Sequence, residues 1–497
     1  MNDMERRSML AIALSFIVLT VWWGVVSKKR PVPPPDNRTA NIGTEKTAIP
    51  DEAARERTEK LPAKTEEETE EECFKIENKN VRCLIGRKTG KIRNIFLSES
   101  LGEVDLIMPD AALPFRFFVK GIELSEPEVI KKENSVIMRY PQAQAVVSFD
   151  GGDLTLGLTS TGGEPVEAVW CGGLGTDADM LEEQIKSKLL RFHSKTDRVK
   201  RINAPKTEKN YDWISVSNRY FLLAFFQESA ATFSCDPKDA EKYITFSSSG
   251  GKINLKIMAA AKEYFALKKR GAGLEKTLNL GIFSFLSVLF IYILSFFYQI
   301  TGNYGWAIVI LTFIVQALMF PLSRKNIKSA EAMKRIQPYV KKLQQQYKND
   351  PKRLNEELMN LYKVQKVNPL GGCLPLVVQI PIFWSLFTLL QGLVELRGAP
   401  FIFWLNDLSR PDILFGHLPK FLPIIGGWPI GPLPLLMGAT MFIQQKMTIT
   451  DPQQKAFLLM PVFFTFIFIK FPSGLVLYWL TSNVITFGET LLLKRSK

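Results

Sequence analysis

Long uncharged runs, separated by polar segments, fill the C-terminal part of the chain. An α-helix rises about 1.5 Å per residue, so about 20 apolar residues cross the hydrocarbon of a bilayer. Five such runs predict five spanning helices, at residues 304–322, 371–394, 430–447, 456–469 and 473–493. The pattern therefore predicts an integral membrane protein.

A different pattern occupies residues 73–277. Short runs such as "SVIMRY", "AVVSFD" and "LTLGLTS" carry apolar side chains at alternate positions, and Gly, Asn and Asp residues separate them. Alternation with a period of two is typical of β-strands that have one buried face. We therefore predict a β-sandwich of about 200 residues in this region.

The N-terminal part contains one apolar segment followed by a polar linker. Residues 9–26 are apolar and follow Arg6 and Arg7 without a convincing cleavage site, so residues 1–27 are predicted to form an uncleaved signal anchor with its N-terminus inside. The three basic residues behind the segment weaken that orientation when it is considered alone. Residues 28–72 hold no aromatic residue, a "PVPPP" run and the acidic tract "EEETEEE", a composition that predicts disorder.

Another apolar segment, residues 278–300, directly precedes the first predicted span. Hydropathy alone predicts that it crosses the membrane. The later loop at residues 323–370 has 12 Lys/Arg and 4 Asp/Glu, a net charge of +8, and such loops stay in the cytoplasm. With the N-terminus inside and the sandwich outside, this loop and the basic tail at residues 494–497 reach the cytoplasm only if residues 278–300 lie in the interface. We predict an interfacial helix, although it lacks the usual charged face.

The basic loop itself has helical periodicity. Apolar residues recur at intervals of three and four from Ile327 to Tyr347, and Asp350-Pro351 is a typical helix start. The loop thus predicts a hairpin of two amphipathic helices joined near Asn349. The apolar stripes have two possible functions, packing of the helices on each other or docking of a partner. The candidate cations of this hairpin are Arg324, Lys325, Lys334, Arg335, Lys341 and Lys342.

Charge and composition limit the chemistry. The 497-residue chain has a net charge of +14, but a basic block beside membrane spans more often marks a cytoplasmic loop than a nucleic-acid site, and we predict no specific nucleic-acid recognition. Five cysteines without a C-x-x-C pair and only two histidines argue against a zinc site or a His-based triad. We predict no catalytic residue, metal or cofactor. Four cysteines fall in the predicted sandwich, where disulfides and buried thiols both remain open.

Polar residues interrupt the predicted spans. Gln316 lies in the middle of "LTFIVQALMFPL", and Thr312 lies one turn earlier on the same face. An amide in hydrocarbon costs free energy unless it is hydrogen-bonded. Further polar residues in the spans are Gln379, Ser385, Thr388, Gln391, Gln444, Gln445, Thr481, Ser482, Asn483, Thr486 and Glu489. A hydrogen bond between helices, which stabilises their association by about 1 kcal/mol, would be enough to explain a single polar residue of this kind. Polar groups on four of five spans favour a wet cavity, and the lack of mid-membrane charge argues against a coupled transporter.

Several stretches of the chain resemble the YidC/Oxa/Alb family of membrane protein insertases, and in particular its Gram-negative type with a large periplasmic domain. They are "TGNYGWAIVILTFIVQALMFPLS", "QKVNPLGGCLPLVVQIPIFWSLF", "VELRGAPFIFWLNDLS", "GATMFIQQKM" and "FPSGLVLYWLTSNVITF", which follow in order between residues 301 and 487. The stretch "NYDWISVSNRYFLLAFF" resembles the periplasmic domain of that family.

This resemblance implies a fold class and a function. The fold is expected to be an α-helical five-span insertase core with a cytoplasmic helical hairpin, an N-terminal signal-anchor span and a periplasmic β-supersandwich domain. The sandwich is of a type related to mutarotases, but fold alone implies no sugar chemistry. The expected activity is insertion and folding of integral membrane proteins in the cell inner membrane, alone or with the Sec translocon. The alternative is a membrane-embedded chaperone that acts only with the Sec translocon.

The resemblance also implies site residues and partners. A hydrophilic groove open to cytoplasm and lipid is expected at Gln316, Gln379, Ser482 and Asn483. Substrate helices are expected to slide along Thr312, Tyr478 and Trp479. Implied partners are nascent membrane proteins, the lipid bilayer, the Sec translocon and, through the hairpin, the ribosome or the signal recognition particle receptor.

One position departs from the pattern of the family. Where Gln316 stands, the family usually carries a basic residue, most often Arg, that attracts acidic parts of the substrate. We hypothesise that Gln316, with Gln379 and Asn483, keeps the groove wet by hydrogen bonding alone. The +8 hairpin would then supply the attraction for acidic chain ends.

Overall fold

The computed structural model describes residues 72–99, 102–107, 115–170, 174, 190–195, 198–202, 204–209, 211–229, 231–236, 244–365, 374–419, 426–448 and 459–495. The predicted anchor at residues 1–27 and the predicted linker, except Glu72, lie outside these ranges, as do Cys171 and Cys373.

Antiparallel strands fill the region between residues 73 and 261 and form three sheets among the described residues. The four-stranded sheet has the order β1-β2-β3-β4, with β1 Cys73–Glu77, β2 Val81–Gly86, β3 Ile92–Glu99 and β4 Gly102–Asp105. The six-stranded sheet contains β5 Phe115–Val119, β6 Ile122–Glu123, β11 Val166–Trp170, β14 Lys206–Glu208, β17 Thr232–Cys235 and β18 Ile244–Ser248, in the order β14-β17-β18-β11-β5-β6.

The nine-stranded sheet is the largest of the three. It contains β7 Glu128–Lys132, β8 Ser135–Arg139, β9 Ala143–Asp150, β10 Asp153–Ser160, β12 Leu190–Lys195, β13 Arg198–Arg201, β15 Trp213–Ser217, β16 Phe221–Gln227 and β19 Lys252–Ala261. The order of the strands is β13-β12-β15-β16-β19-β10-β9-β8-β7.

The period-two pattern of the sequence produces the core of this sandwich. Across the nine-stranded sheet, Val136 pairs with Val147, Val147 with Leu156, and Leu156 with Leu255. All four side chains are buried in one core cluster, because residues in register on neighbouring strands point to the same face. The predicted fold class, a β-rich region followed by a helical core, is confirmed.

Eight α-helices follow or border the sheets in the described residues. They are α1 Tyr264–Arg270, α2 Ser284–Thr301, α3 Tyr304–Gln346, α4 Pro351–Val364, α5 Leu374–Gly392, α6 Pro432–Thr448, α7 Met460–Phe468 and α8 Ser473–Arg495. By length and composition α2, α3 and residues 473–493 of α8 could cross a membrane, and Val378–Gly392 of α5 is a shorter apolar helix. That α2 instead lies in the interface remains a prediction.

Two helix boundaries differ from those expected. The segment predicted at residues 278–300 is helical only from Ser284. Gly281 has a φ of 73°, which is incompatible with a right-handed α-helix, so the helix begins after it. The predicted first span and the first arm of the hairpin form one continuous helix, α3. The polarity changes near Arg324 without a glycine or a cap, and Pro321 lies inside the helix without ending it.

One loop joins the ends of four helices. We call residues 399–416, which follow α5 and precede α6, the capping loop. The Asp412 carboxylate accepts a hydrogen bond from the Leu433 N–H at the start of α6, 2.8 Å away. The Leu408 and Arg410 carbonyls accept from the N–H groups of residues 474 and 473 at the start of α8. Asn303, which caps α3, donates to the Pro400 carbonyl at 3.0 Å. The N-termini of α3, α6 and α8 therefore lie on one side, together with the C-terminus of α5.

The sandwich packs on this same side of the helical core. Trp213 and Leu222 of the nine-stranded sheet share a buried apolar cluster with Leu396, which follows α5. The Arg219 guanidinium donates to the Gln391 carbonyl at the end of α5, and the Arg397 guanidinium lies over the Phe221 ring at 5.3 Å from its centroid. The contact is thus apolar, and one arginine from each side reaches across it.

A buried carboxyl group lies beside this contact. Glu395 belongs to the 3₁₀ turn Val394–Leu396, and its Oε2 atom is buried without a hydrogen-bond partner among the described residues. Burial, and to a lesser degree the nearby Glu263 carboxylate, raise the pKa of Glu395 to about 7. The folded protein therefore binds a proton at Glu395 more tightly than the unfolded chain does.

The raised pKa predicts that stability falls as pH rises. The buried Glu395 carboxyl lowers the free energy of unfolding only a little at pH values below its ordinary pKa of 4.5. The loss of stability then grows until the pH passes about 7. We expect Glu395→Gln to stabilise the full chain in detergent at pH 8 by about 1–2 kcal/mol, and clearly less at pH 5. Thermal unfolding followed by tryptophan fluorescence measures this. The exposed Glu133→Gln is the control, and an equal effect of Glu395→Gln at both pH values would contradict the prediction.

Candidate functional site

Helices α3 and α8 contact each other through the polar residues that interrupt them. The Gln316 side chain is only 6% exposed, and its Nε2 donates a hydrogen bond to the Ser482 Oγ. The amide in the middle of the predicted span is therefore satisfied by the neighbouring helix, and it does not face hydrocarbon unpaired.

Thr312 lies on the same face of α3 as Gln316, one turn earlier, and is fully buried. Its hydroxyl donates to the Ile308 carbonyl at 2.7 Å, within the same helix. Thr312 therefore satisfies its own polar group, and its methyl group is left for packing.

Two further amides tie α8 to other helices. Gln379 of α5 donates to the Tyr478 hydroxyl at 2.8 Å, and Tyr478 is fully buried. Asn483, which is 7% exposed, donates to the Met437 carbonyl and to Thr440 of α6, both at 3.4 Å. Helix α8 thus makes side-chain hydrogen bonds to α3, α5 and α6 within two turns, and the structure brings the four predicted groove residues together along it.

Trp479 belongs to an aromatic cluster. Its ring centroid lies 5.2 Å from that of Phe383, 5.1 Å from that of Phe468 and 6.3 Å from that of Phe464. Three residues along an α-helix leave two side chains about 60° apart, and here Trp479 faces α5 and α7 while Ser482 faces α3. Of the three predicted slide residues, Tyr478 is enclosed and Trp479 is partly exposed.

The apolar stripes of the hairpin pack on each other. Ile336 and Val340 of α3 form a small cluster with Leu358, Leu361 and Tyr362 of α4. The Asp350 side chain accepts from the Arg353 N–H at 3.1 Å and caps α4, as the Asp-Pro pair predicts. All six candidate cations of the hairpin are exposed, namely Arg324, Lys325, Lys334, Arg335, Lys341 and Lys342. The structure therefore accounts for the stripes by packing and leaves the charges at the surface.

Two contacts fix the hairpin to the membrane helices. The Lys334 Nζ donates to the Met447 carbonyl near the C-terminus of α6 at 3.1 Å, where a cation is favoured by the helix dipole. The Ser323 hydroxyl donates to the Glu489 carboxylate of α8 at 2.8 Å. Sequence reasoning noted Glu489 but missed this pairing, because the two residues are 166 positions apart.

The sequence analysis also missed how α2 is held to α5. The Ser287 hydroxyl of α2 lies 3.2 Å from the Ser385 carbonyl, to which it donates. The Thr388 hydroxyl donates to the Leu280 carbonyl at 3.1 Å. Gly281 is needed beside it, since a Cβ there would lie 3.0 Å from the Thr388 methyl group. The sequence shows Ser385 and Thr388 as polar residues of a span, but it does not show their partners.

Comparison with known proteins identifies the family. The 60Kd inner membrane protein family matches residues 296–497. A membrane protein insertase YidC from Endomicrobium trichonymphae is 36% identical over 459 residues, which cover 84% of this chain and 84% of that protein. The chain belongs to the YidC family of membrane protein insertases. A second YidC, from Pelobacter propionicus, is 43% identical over 65% of this chain and 62% of its own length.

Solved structures of YidC proteins also match. One, described as an active YidC insertase with its first transmembrane domain resolved, is 16% identical and covers 84% of this chain and 92% of its own, with a TM-score of 0.41. YidC from Thermotoga maritima is 15% identical, covers 84% and 98%, and has a TM-score of 0.33.

A double-mutant cycle can test whether the Gln316–Ser482 contact between α3 and α8 stabilises the protein. Ser482→Ala leaves the buried Gln316 amide without its partner, and we expect a loss of about 1–2 kcal/mol in stability. Adding Gln316→Leu should recover part of this loss, because leucine leaves no polar group unpaired. Thermal unfolding of the full chain in detergent provides the four stabilities.

Thr486→Ala is the control for this cycle. The Thr486 hydroxyl donates to the Ser482 carbonyl within α8 at 2.9 Å, so its loss removes no contact between helices. If Ser482→Ala costs no more than Thr486→Ala, the Gln316–Ser482 contact does not stabilise the helical core.

Proposed function

We propose that this chain inserts integral membrane proteins into the cell inner membrane and helps them fold, alone or with the Sec translocon. The observation that supports the proposal is the row of uncharged polar contacts on α8, from Tyr478 to Asn483, which reaches α3, α5 and α6. The hydrogen bonds in such a row lie inside an otherwise apolar core and can be exchanged for bonds to water or to a substrate.

The proposed groove opens along the contact between α3 and α8. Gln316 and Ser482 satisfy each other when no substrate is present, so the closed core contains no costly unpaired amide. When the two helices part, water and the polar flank of a substrate take over these hydrogen bonds at little net cost. In this proposal Gln316 and Ser482 line the opening between α3 and α8, and Gln379 and Asn483 extend the groove along α8 toward α5 and α6.

The substrate's apolar segment leaves the groove along α3 and α8. Thr312 keeps its hydroxyl bonded inside its own helix and presents no free polar group. Tyr478 and the aromatic cluster around Trp479 form the other wall. Burial of the substrate in lipid supplies about 25 cal/mol per Å² of apolar surface, so the process needs no catalytic residue, nucleotide or metal.

The proposed orientation places the sandwich in the periplasm and the hairpin in the cytoplasm. The sandwich packs at the end of the core where α3, α6 and α8 begin, and the hairpin extends from the other end. The N-terminus and C-terminus are then both cytoplasmic, and the +8 loop is inside. Hydrogen bonding of the Lys268 ammonium to the Tyr292 hydroxyl at 2.9 Å supports an interfacial α2, because α1 supplies the charged side that α2 lacks.

Because Gln316 carries no charge, we propose that the cations of the hairpin attract the acidic ends of substrate chains. Its six exposed cations extend along α3 from Arg324 to Lys342. Nascent membrane proteins are the proposed ligands, and the ribosome or the signal recognition particle receptor are further candidate partners of the same surface. The competing function, a chaperone that acts only beside the Sec translocon, uses the same contacts without autonomous insertion.

Insertion into proteoliposomes that contain only this protein tests the function. The substrate is a single-span protein with an acidic N-terminal tail, and protease protection measures its insertion. We expect insertion by the wild type and by Gln316→Arg, which keep a polar groove. Gln316→Leu should lower the rate about tenfold, equivalent to about 1.4 kcal/mol in the barrier.

Gln391→Leu is the matched control, since this glutamine lies at the outer end of α5, away from the proposed groove. It should leave insertion unchanged. An inactive wild type that Gln316→Arg activates would support the chaperone alternative and would show that a charge is needed.

Ionic strength tests the proposed role of the hairpin. Exposed charges are screened over a Debye length that falls from about 10 Å at 0.1 M salt to about 3 Å at 1 M. We expect cross-linking of an acidic substrate tail to the hairpin to weaken several-fold over this range. Lys341→Gln/Lys342→Gln should weaken it in the same way at low salt.

Two adjacent exposed lysines of the sandwich provide the control for net charge. Lys131→Gln/Lys132→Gln removes the same charge far from the hairpin and should leave capture unchanged. Capture that does not respond to salt, or that responds equally to both double variants, would contradict this role.

A further inference from the structure

The capping loop carries the most exposed large apolar side chain in the described part of the chain. Phe403 is 86% exposed, and its φ of 57° lies in the left-handed region, which a bulky side chain rarely adopts. The surrounding backbone holds it there. The Phe401 N–H donates to the Leu405 carbonyl at 2.8 Å, and the Leu405 N–H donates to the Ile402 carbonyl at 3.3 Å. The fold therefore maintains an unfavourable backbone conformation that turns an aromatic ring outward.

Phe403 is not an isolated case. Ile413, Leu414 and Phe415, at the other end of the same loop, are 51%, 52% and 61% exposed. In contrast, the acidic side chain between them is turned inward. Asp412 is 5% exposed and accepts hydrogen bonds from the Leu433 N–H and the Trp404 indole N–H. The loop thus exposes these apolar groups and buries the Asp412 carboxylate, the reverse of what water favours.

The position of the loop in the fold is fixed by the helices that it caps. Phe401 packs on the first turn of α3, with its ring centroid 5.4 Å from that of Trp306, and it fills the space where a Cβ at Gly305 would lie. Hydrogen bonds from the starts of α6 and α8 end on the same loop. A loop attached to the ends of helices that cross a membrane must lie at the level of the lipid headgroups.

We propose that the capping loop inserts Phe403, together with Ile413, Leu414 and Phe415, into the phospholipid leaflet on the sandwich side of the membrane. This inference rests on the membrane placement of the helices and does not depend on which substrate the chain inserts. The leaflet is the one occupant that reaches both apolar groups, because lipid surrounds the helix ends from which the loop extends.

Aromatic and basic residues near the loop match the chemistry of a lipid interface. The Lys470 ammonium, just before α8, lies 3.9 Å from the centroid of the Trp428 ring. The Arg410 Nε atom lies 3.3 Å from the Asp407 carboxylate, and the two side chains form an ion pair within the loop. Tryptophan and basic side chains are enriched at headgroup level, where the ring meets the hydrocarbon edge and the charge meets phosphate. The apolar groups provide the anchor, and the cations favour the same depth.

Photo-cross-linking in vesicles tests the proposal with the full chain. Phe403→p-benzoylphenylalanine places a carbon–hydrogen-reactive group at the exposed ring position. Leu318, 75% exposed on α3, is the lipid-facing reference, and Ile122, 63% exposed on the sandwich, is the water-facing reference. After irradiation, mass spectrometry measures the fraction of protein that carries a phospholipid adduct and locates the adduct on the lipid.

We expect adducts to acyl chains at residue 403 with a yield within about twofold of residue 318 and at least about tenfold above residue 122, because only inserted side chains meet hydrocarbon. The same result is expected in vesicles of phosphatidylcholine alone and in vesicles that also contain phosphatidylglycerol, since apolar insertion does not need anionic lipid. Leu414→p-benzoylphenylalanine should behave as residue 403 does.

Three results would overturn the proposal. A yield at residue 403 equal to that at residue 122 would show that the ring is in water. Cross-linked dimers without lipid adducts would assign the surface to a second copy of this chain. Adducts only in vesicles with phosphatidylglycerol, and only to headgroups, would reduce the contact to charge attraction. Phe403→Asn provides a second variant, since asparagine tolerates a positive φ: it should keep the fold and lower the adduct yield at residue 414.

Discussion

The helical core depends on one constraint: each polar group placed among apolar helices must find its partner inside the protein. Helix α8 satisfies that constraint for three neighbours, through Ser482, Tyr478 and Asn483. These bonds involve no charge, so each can be exchanged for water or for a peptide group at small cost. In the proposed function, such bonds keep the closed core ordered and let it open along one contact.

The same constraint explains the hydrogen bonds that hold the helices together at one end of the core. Helix N-termini leave four N–H groups without partners in the helix, and the capping loop supplies acceptors for two starts while Asn303 caps the third. The sandwich packs on this end through Trp213, Leu222 and two arginines. Among the described residues, the far end of the core, toward the hairpin, is joined by the Lys334–Met447 and Ser323–Glu489 side-chain contacts.

Much of this architecture follows from the sequence, and the remainder does not for identifiable reasons. Alternating residues such as Val147 and Leu156 predict the sandwich because register places them on one face. The sequence pattern divides the helix from Tyr304 to Gln346 in two because hydropathy changes at Arg324, whereas a change of hydropathy alone does not end a helical backbone. Gln316 was recognisable as a buried amide, but its partner was not, since Ser482 is 166 residues away and pairing at that distance depends on how the helices pack.

The unbroken course of α3 has a mechanical consequence. At about 1.5 Å per residue, its 43 residues form a rod of about 65 Å that joins the proposed groove directly to the hairpin. The hairpin and Gln316 therefore belong to one helix. Pro321, five residues beyond that amide, and Pro338, within the hairpin, each remove one backbone hydrogen bond, so the rod bends most easily at these two positions. In the proposed function, a nascent chain that pulls on the hairpin would bend this rod at Pro321, next to the groove.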